Sequence, residues 1–259
     1  MPVSLNRCLL TILVSGIVSG CVTSMPAAPK DQRAVYDPWE PMNRRVGAFN
    51  DSLDNVTLKP LAKAYETVLP QLARRGINNF SRNLLLPLSF VNNLLQGKIK
   101  SSFSNTGSFL ANSTLGLGGL IDIGSDMGLD QNREDFGQTL AAWGVPDGPY
   151  VVIPILGPGT LRDATMLPLN FAADPVLYMK HDRTRLTIQV VRAVDLRAQL
   201  FTAETLIEDS FDRYLSIRES YLQHRQFLIY DGDPPDDDDF YDDFEEDFEE
   251  DFEDDLEEE

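Results

Sequence analysis

Apolar side chains recur at helical spacing in four segments of this 259-residue sequence. The four stripes are Val56, Leu61, Tyr65, Val68 and Leu69; Ile77, Phe80, Leu84, Leu88, Val91, Leu94 and Leu95; Ile188, Val191, Val194, Ala198 and Phe201; and Phe211, Leu215, Tyr221 and Leu222. We predict that Pro70 ends the first helix, that Pro87 kinks the second, and that the last helix covers about residues 203–229. Because an apolar stripe usually faces a core, each is first interpreted as the buried side of its helix.

Strand patterns are scarce. The run at residues 150–156 has a β-like composition, but Pro154 in its middle argues against a central strand and allows only a short extended piece. The length and the 42% hydrophobic content are sufficient for one or two domains with a core. The sequence therefore predicts an all-α body.

The second stripe has a further interpretation. Five asparagines, Asn78, Asn79, Asn83, Asn92 and Asn93, lie between its apolar positions, so the helix is strongly two-sided. Such a helix can lie in the headgroup layer of a membrane. No segment after the N-terminal region reaches the roughly 18 consecutive apolar residues of a spanning helix, so entry into a membrane would be partial.

The N-terminus has the pattern of a secretory signal over residues 1–20. Arg7 precedes an apolar run at residues 8–18, and Val18-Ser19-Gly20-Cys21 matches the bacterial lipobox. We expect Cys21 to receive the diacylglycerol and residues 21–35 to form a flexible tether. Val22, where inner-membrane lipoproteins usually have Asp, favours export to the outer membrane. The alternative is an ordinary signal peptide that contains a cysteine.

The net charge of −19 comes from the C-terminal tail. Residues 231–259 contain 20 acidic and no basic residues, which leaves 21 acidic and 22 basic residues in the rest of the chain. The body is nearly neutral, so binding to nucleic acid is not expected. The tail repeats an apolar residue every fourth position, at Phe240, Phe244, Phe248, Phe252 and Leu256. Its like charges oppose a helix, so we predict a disordered acidic tail, either a solvated segment or a docking strip for a partner.

No residue pattern typical of an enzyme, a cofactor site or a metal site is found. His181 and His224 are far apart and lack a metalloprotease spacing. The glycine-rich segment 116–120 lacks the lysine of a phosphate-binding loop and is interpreted as a tight turn where helices approach closely. The four-residue spacing of the aspartates from Asp122 onward is unlike an EF-hand. Asp135 is interpreted as a helix start rather than a catalytic acid.

A series of short motifs in the body resembles one known family. They are, in order, Asp37-Pro38-Trp39-Glu40-Pro41-Met42-Asn43-Arg44, Phe49-Asn50-Asp51, Asn112-Ser113-Thr114-Leu115-Gly116-Leu117-Gly118-Gly119-Leu120-Ile121-Asp122, Glu134-Asp135-Phe136-Gly137-Gln138-Thr139-Leu140, Trp143-Gly144-Val145, Gly148-Pro149-Tyr150, Leu156-Gly157-Pro158 and Arg162-Asp163. This many motifs in order, after a lipobox, resemble the MlaA/VacJ family of outer-membrane lipoproteins over about residues 36–229. The helical domain is accordingly placed at residues 36–230 and the acidic tail at 231–259.

The resemblance implies a ring-shaped bundle of amphipathic and kinked helices, half-embedded in one leaflet on the periplasmic face of the outer membrane of a Gram-negative bacterium. It implies that the protein removes mislocalised phospholipids from the outer leaflet through an amphipathic channel and so maintains lipid asymmetry. The implied partners are phospholipid, a periplasmic lipid carrier similar to MlaC, a trimeric outer-membrane porin and the membrane itself. No catalytic residue, metal or cofactor is implied.

The resemblance also implies roles for two pairs of residues. Phe49 and Asn50 match a position that borders the channel and affects gating, although an ordinary helix contact explains them equally well. Gly144 and Gly148 delimit a turn near a hairpin thought to control the channel, and glycine permits the backbone freedom of a hinge. A static turn is the alternative. If the turn moves, proline at either position is expected to stiffen it and impair transport.

Two other functions remain open from the sequence. An adaptor lipoprotein would dock a porin to a periplasmic complex and would contain no lipid path. A phospholipase would need a Ser/His/Asp group, so replacing His181 and His224 together is expected to leave the function of a non-enzyme intact.

Overall fold

The computed structural model describes residues 37–208 and 210–234 of the chain. The predictions for the signal sequence, for acylation of Cys21, for the tether and for the acidic tail beyond Pro234 lie outside the described residues.

The described residues form a mostly helical unit with one small β-hairpin. The helices are α1 (Glu40–Val56), α2 (Leu58–Val68), α3 (Gln71–Leu95), α4 (Ile99–Thr114), α5 (Ile123–Asp126), α6 (Phe136–Ala142), α7 (Leu161–Ala172), α8 (Asp182–Gln199), α9 (Phe201–Glu208) and α10 (Arg213–Ile229), with a 3-10 turn at Pro175–Tyr178. The strands β1 (Tyr150–Ile153) and β2 (Gly157–Thr160) lie between α6 and α7. The prediction of an all-α body is thus confirmed.

Short polar side chains fix several helix starts. The Asp135 carboxylate accepts a hydrogen bond from the Gln138 amide at 2.9 Å at the start of α6, which confirms its interpretation as a helix start. Asp212 caps α10 in the same way through the amide of Tyr214 at 2.9 Å. The single helix predicted for residues 203–229 is therefore wrong in extent, because α9 ends at Glu208 and this cap starts a new helix.

The run at residues 150–156 forms a hairpin rather than a helix. β1 pairs antiparallel with β2 in the register Tyr150↔Thr160 to Ile153↔Gly157, and Pro154 lies in the three-residue connection. The prediction of a short extended piece is confirmed. The second strand, Gly157-Pro158-Gly159-Thr160, was not predicted because glycine and proline disfavour strands.

α3 and α4 pack against each other, and the side chains that they bury are mostly polar. Their buried side chains are Asn83, Leu86, Ser89, Asn92 and Asn93 on α3, and Ser102, Asn105, Ser108 and Asn112 on α4. Their exposed apolar side chains are Leu72, Val91, Leu94, Leu95, Ile99, Phe103 and Leu110. The interpretation of the second stripe as a core face is therefore wrong for the C-terminal half of α3, which runs through Pro87 without ending.

A small apolar core lies between α2 and α8. Ala62, Val194 and Ala198 are buried there, with Leu58, Tyr65 and Phe201 packed around them. The core interpretation of the third stripe is confirmed at Val194 and Ala198. The first stripe fails at Val56, Leu61 and Val68, which are exposed. The fourth fails at Phe211, which is fully exposed and precedes the start of α10. Of the helices in the described part of the chain, none combines the length and the apolar character needed to cross a membrane.

Candidate functional site

Helix α1 holds the β-hairpin through two asparagines. The Asn43 side chain donates to the Tyr150 carbonyl at 3.1 Å and accepts from the Val152 amide at 2.9 Å. Asn50 donates to the Ile153 carbonyl at 3.0 Å and accepts from the Ile155 amide at 2.7 Å. The seven-residue step from one asparagine to the other rises about 10 Å along the helix, which matches about three residues of strand. One face of α1 therefore takes the place of a third strand along β1.

The tip of the hairpin is strained where Asn50 holds it. Ile155 has a φ of 70°, a left-handed conformation that β-branched residues rarely adopt. The Ile155 side chain is 70% exposed, so burial does not hold the tip in place. The two hydrogen bonds of Asn50 are thus the main contacts that fix this conformation.

Phe49, the other predicted channel residue, precedes Asn50 on α1. Its side chain is 54% exposed and does not contribute to a core. The structure brings Asn50 to the hairpin tip and leaves Phe49 on the surface beside it. A role of either residue in gating stays a prediction.

A cavity of about 330 Å³ lies between α1, the hairpin and the start of α10. Its wall includes Asn50, Tyr150, Val152, Arg44 and Asp212. The guanidinium of Arg44 donates to both Asp212 oxygens, at 3.1 and 2.7 Å, so these two charges neutralise each other. The hydrogen bond from Arg44 lowers the pKa of Asp212 to about 2. The cavity thus has a mixed wall that includes apolar surface and paired charges.

The turn between α6 and β1 contains both predicted hinge glycines. Gly144 has a φ of 85°, donates to the Ala141 carbonyl at 2.8 Å, and is followed by the Val145 amide donating to the Leu140 carbonyl at 2.9 Å. This is a Schellman motif, in which glycine ends a helix in the left-handed conformation. Gly148 also has a positive φ, of 67°. Proline, whose φ is fixed near −65°, would exclude this turn rather than stiffen it, which corrects the effect expected from the sequence.

Arg162 holds this turn in place. Its guanidinium pairs with the Asp147 carboxylate at 2.6 Å, and its amide donates to the Asp147 carbonyl at 3.1 Å. Gln226 on α10 donates to the same carboxylate at 3.1 Å. The static interpretation of the turn is supported by these contacts, and the hinge role of Gly144 and Gly148 stays a prediction.

A buried ion network joins α6, α7 and α10. Arg225 donates to Asp135 at 2.8 Å, to Asp163 at 2.9 Å and to Gln138 at 3.1 Å. Burial alone would raise the pKa of Asp135, but the hydrogen bonds and charge of Arg225 outweigh it and lower the pKa. Gly137 makes room for the network, since a Cβ there would lie 2.6 Å from Arg225 Nη2 and still closer to Asp163.

Gly119 and Asp122, in the motif at residues 112–122, have structural roles. In segment 116–120, a Cβ on Gly119 would lie 2.7 Å from Asn83 Nδ2 on α3, which confirms the predicted tight turn between close helices. Asp122 caps α5 and accepts from Ser125, and its hydrogen bonds lower its pKa despite burial. Within residues 37–208 and 210–234, no three His, Cys, Asp or Glu side chains are grouped to hold a metal.

Known proteins match this chain over most of its length. A family model described as MlaA lipoprotein covers residues 35–228. The chain belongs to the MlaA lipoprotein family. An MlaA protein of Haemophilus influenzae, the intermembrane phospholipid transport system lipoprotein, is 33% identical over 241 residues, covering 88% of this chain and 92% of that protein. The MlaA protein of Escherichia coli is 34% identical over 224 residues, with coverage of 84% and 86%.

A solved structure, described as the structural basis for maintenance of bacterial outer membrane lipid asymmetry, also resembles this MlaA family member. It has a TM-score of 0.64 and 36% sequence identity, and the match covers 74% of this chain and 98% of that chain. The resemblance drawn from the motifs is therefore confirmed.

Three residues of the MlaA-like domain that organise the site were not predicted. Asn43 and Arg162 lie inside the motifs and Arg225 lies far beyond them, and a motif does not show which atoms meet. The seven-residue spacing of Asn43 and Asn50, which places both on one helix face, was the one available signal.

Proposed function

We propose that this chain is an outer-membrane lipoprotein of an intermembrane phospholipid transport system. It removes mislocalised phospholipid from the outer leaflet through an amphipathic channel and passes it to a periplasmic carrier. The activity named for the MlaA relatives supports the class of function. The burial pattern of α3 and α4 is the observation of this chain that carries the proposal.

Polar interiors and apolar exteriors suit a helix pair surrounded by lipid. In lipid, helices associate through small and polar residues, since apolar side chains gain nothing by leaving hydrocarbon. Ser102, Asn105 and Ser108 on α4 fit this arrangement, while Phe103 and Leu110 remain 70% and 56% exposed. In water each such apolar side chain forgoes roughly 1–2 kcal/mol that burial would provide. Acyl chains supply that burial in the proposed half-embedded state.

Trp143 supports a boundary between lipid and water at one end of this pair. Its indole N–H donates to the Leu95 carbonyl at the end of α3 at 3.1 Å, and most of its ring is exposed. Leu94 and Leu95 are exposed beside it. A tryptophan with one polar end satisfied and an apolar face open is typical of the headgroup region.

The geometry of the hairpin supports the proposal that the lipid path is controlled. Its tip is exposed, strained and held by Asn50 alone among the described side chains, and the cavity lies directly behind Asn50. An element whose two conformations have similar free energies can switch between them as its contacts change. The porin and the carrier enter the proposal from the family resemblance.

The experiment is purification of the full acylated protein from cell envelopes in mild detergent, followed by mass spectrometry of the lipids and proteins that remain bound. Phospholipid together with a porin is expected. A porin without lipid would favour the adaptor instead. The matched control is Cys21→Ala, which is expected to lose the anchor. If the Cys21→Ala variant kept both its lipid and its membrane association, that result would contradict the lipobox interpretation.

A further inference from the structure

The α3–α4 helix pair is free of acidic residues. Residues 67–121, which contain both helices, hold five basic and no acidic residues. Along α4, Ile99, Phe103 and Leu110 follow each other at steps of four and seven residues, so they form one row on one face of the helix, the α4 row. All three side chains are exposed. Because Lys98 directly precedes the row, this surface is apolar with positive charge at one end.

The acidic tail has the complementary composition. Residues 231–259 hold 20 acidic and no basic residues, and an apolar residue recurs at every fourth position from Phe240 to Leu256. In a helix, these five apolar positions would share about half of the circumference and span about 24 Å, which is also the length of the 16-residue α4. An anionic segment with one apolar side therefore fits a surface that is apolar and cationic.

The first acidic residue of the tail already contacts the start of the α4 row. The Asp231 carboxylate lies 2.6 Å from Lys98 Nζ and accepts from Asn132 Nδ2 at 2.8 Å. The Gly232 amide next to it donates to the Phe227 carbonyl at 2.8 Å and so ends α10 in a left-handed turn. The described chain ends three residues after Asp231, and three residues reach about 10 Å at most. The tail therefore leaves the body beside α4.

The chain beyond Pro234 is long enough to follow α4. The six residues from Pro234 to Phe240 reach up to about 20 Å when extended, whereas Phe103 lies about 8 Å along the axis of α4 from Lys98. Because the tail is attached to the body, its local concentration at this surface is on the order of millimolar. A second copy of the chain and the acyl chains of a membrane lack this advantage in water, so the tail is the favoured occupant.

We propose that the acidic tail of this chain docks on the α4 row while the protein is in water. The apolar residues of the tail pack against Ile99, Phe103 and Leu110, and its carboxylates face Lys98 and the exposed Lys100. Burial of apolar surface drives the docking, and the two lysines orient it. Hydrocarbon offers the row the same burial, so entry of α4 into a membrane releases the tail. The docking goes beyond the proposed function, because it needs an exposed α4 row but no lipid path.

The test measures the accessibility of a cysteine on α4 without lipid or detergent. The protein is residues 21–259 with Cys21→Ala and Thr106→Cys, so the reporter between Phe103 and Leu110 is its one thiol. The rate of its reaction with a maleimide is compared between the wild-type tail and a tail whose five apolar residues are replaced by serine, with every charge kept. A tethered segment of about 0.1 mM intrinsic affinity is expected to slow the reaction about tenfold, and the serine tail is expected to lose that protection.

Thr67→Cys on α2 is the matched control reporter. Thr67 and Thr106 are both helical threonines whose hydroxyls donate to the carbonyl four residues before, at 2.8 and 3.1 Å. The two tails are expected to give the same rate at Thr67→Cys, and about 1 M NaCl is expected to weaken the protection at Thr106→Cys because it screens the lysines. Equal rates at Thr106→Cys with both tails would overturn the docking and leave the tail a solvated segment. An equal change at both reporters would indicate a change of the whole fold and would overturn it too.

The other possible occupants give different results. Slow labelling of Thr106→Cys with both tails that accelerates on dilution would assign the α4 row to a second copy of the chain and refute the tail. For the acylated protein in vesicles of phosphatidylethanolamine and phosphatidylglycerol, slow labelling with both tails is expected, because acyl chains then cover the row. If only this membrane protection is found, the tail assignment is refuted and the proposed function stands. Protection in vesicles that still needs the apolar residues of the tail would overturn both the release of the tail and the proposed lipid contact of α4.

Discussion

Replacing Asn50 with alanine removes both side-chain hydrogen bonds that hold the hairpin tip. The Ile153 carbonyl and the Ile155 amide lose their partners at 3.0 and 2.7 Å, while the backbone pairing of β1 with β2 stays intact. The α1 helix itself is unaffected, since alanine favours helices. The perturbation is thus confined to the tip.

The magnitude follows from two opposing contributions. Each hydrogen bond contributes about 1 kcal/mol net, so the loss of both is about 2 kcal/mol. The left-handed conformation of Ile155, with a φ of 70°, costs about 1–2 kcal/mol. Because the two are of similar size, Asn50 decides whether the strained tip is populated. We expect its removal to shift the tip equilibrium by about 30-fold toward open conformations.

Hydrogen exchange at the Ile155 amide measures this shift directly. Protection is expected to fall about 30-fold in Asn50→Ala, and outer-leaflet phospholipid in cells carrying the variant is expected to change. Ser52→Ala is the matched control, because the Ser52 hydroxyl on the same helix contacts only the Ala48 carbonyl. Unchanged protection in Asn50→Ala would refute the view that this side chain holds the tip.

Three further predictions concern other parts of the fold. Gly137→Ala places a methyl group in the buried ion network and is expected to destabilise the protein by about 3 kcal/mol in urea unfolding, whereas Gly47→Ala, with open space around it, changes stability by about 1 kcal/mol or less. Arg44 lowers the pKa of Asp212 to about 2, so this pair stabilises the fold above about pH 4 and its contribution is lost as the pH falls toward 2. In Asp212→Asn, this part of the acid dependence is expected to be absent when Tm is measured over a pH series. Trp143 fluorescence, in a chain without Trp39, is expected to be quenched by brominated phospholipids, and insensitivity to them would contradict the proposed membrane boundary.

The sequence predicted the helices better than it predicted what they bury. The period of 3.6 residues, together with Pro70 and the cap at Asp135, located α3 and α6 because these are local effects. Burial depends on the solvent as well as on the pattern. The stripe containing Leu94 and Leu95 predicts a core face if water surrounds the helix and a membrane face if headgroups do. The structure buries Asn92 and Asn93 and leaves these leucines exposed.

The site was less predictable because its contacts are distant in sequence. Asn50 meets Ile155 across 105 residues, and Arg225 meets Asp135 across 90. A single sequence shows that such residues are present but not which pairs meet. The motif resemblance led to Asn50 and to the turn at Gly144, but it did not distinguish a helix cap from a hinge.

The polar seam between α3 and α4 reverses the usual pattern of tolerance to substitution. In a water-soluble helix pair, buried positions accept larger apolar residues more readily than polar ones. The same tightness holds where α4 meets α5, since a Cβ on Gly124 of α5 would lie 2.7 Å from the Ser108 oxygen of α4, so bulk of either kind is excluded there. Outside, Phe103 can vary among apolar residues with little effect on stability. A deep mutational scan of this family member would therefore record its strictest positions at small polar residues and its most permissive ones at large hydrophobic residues.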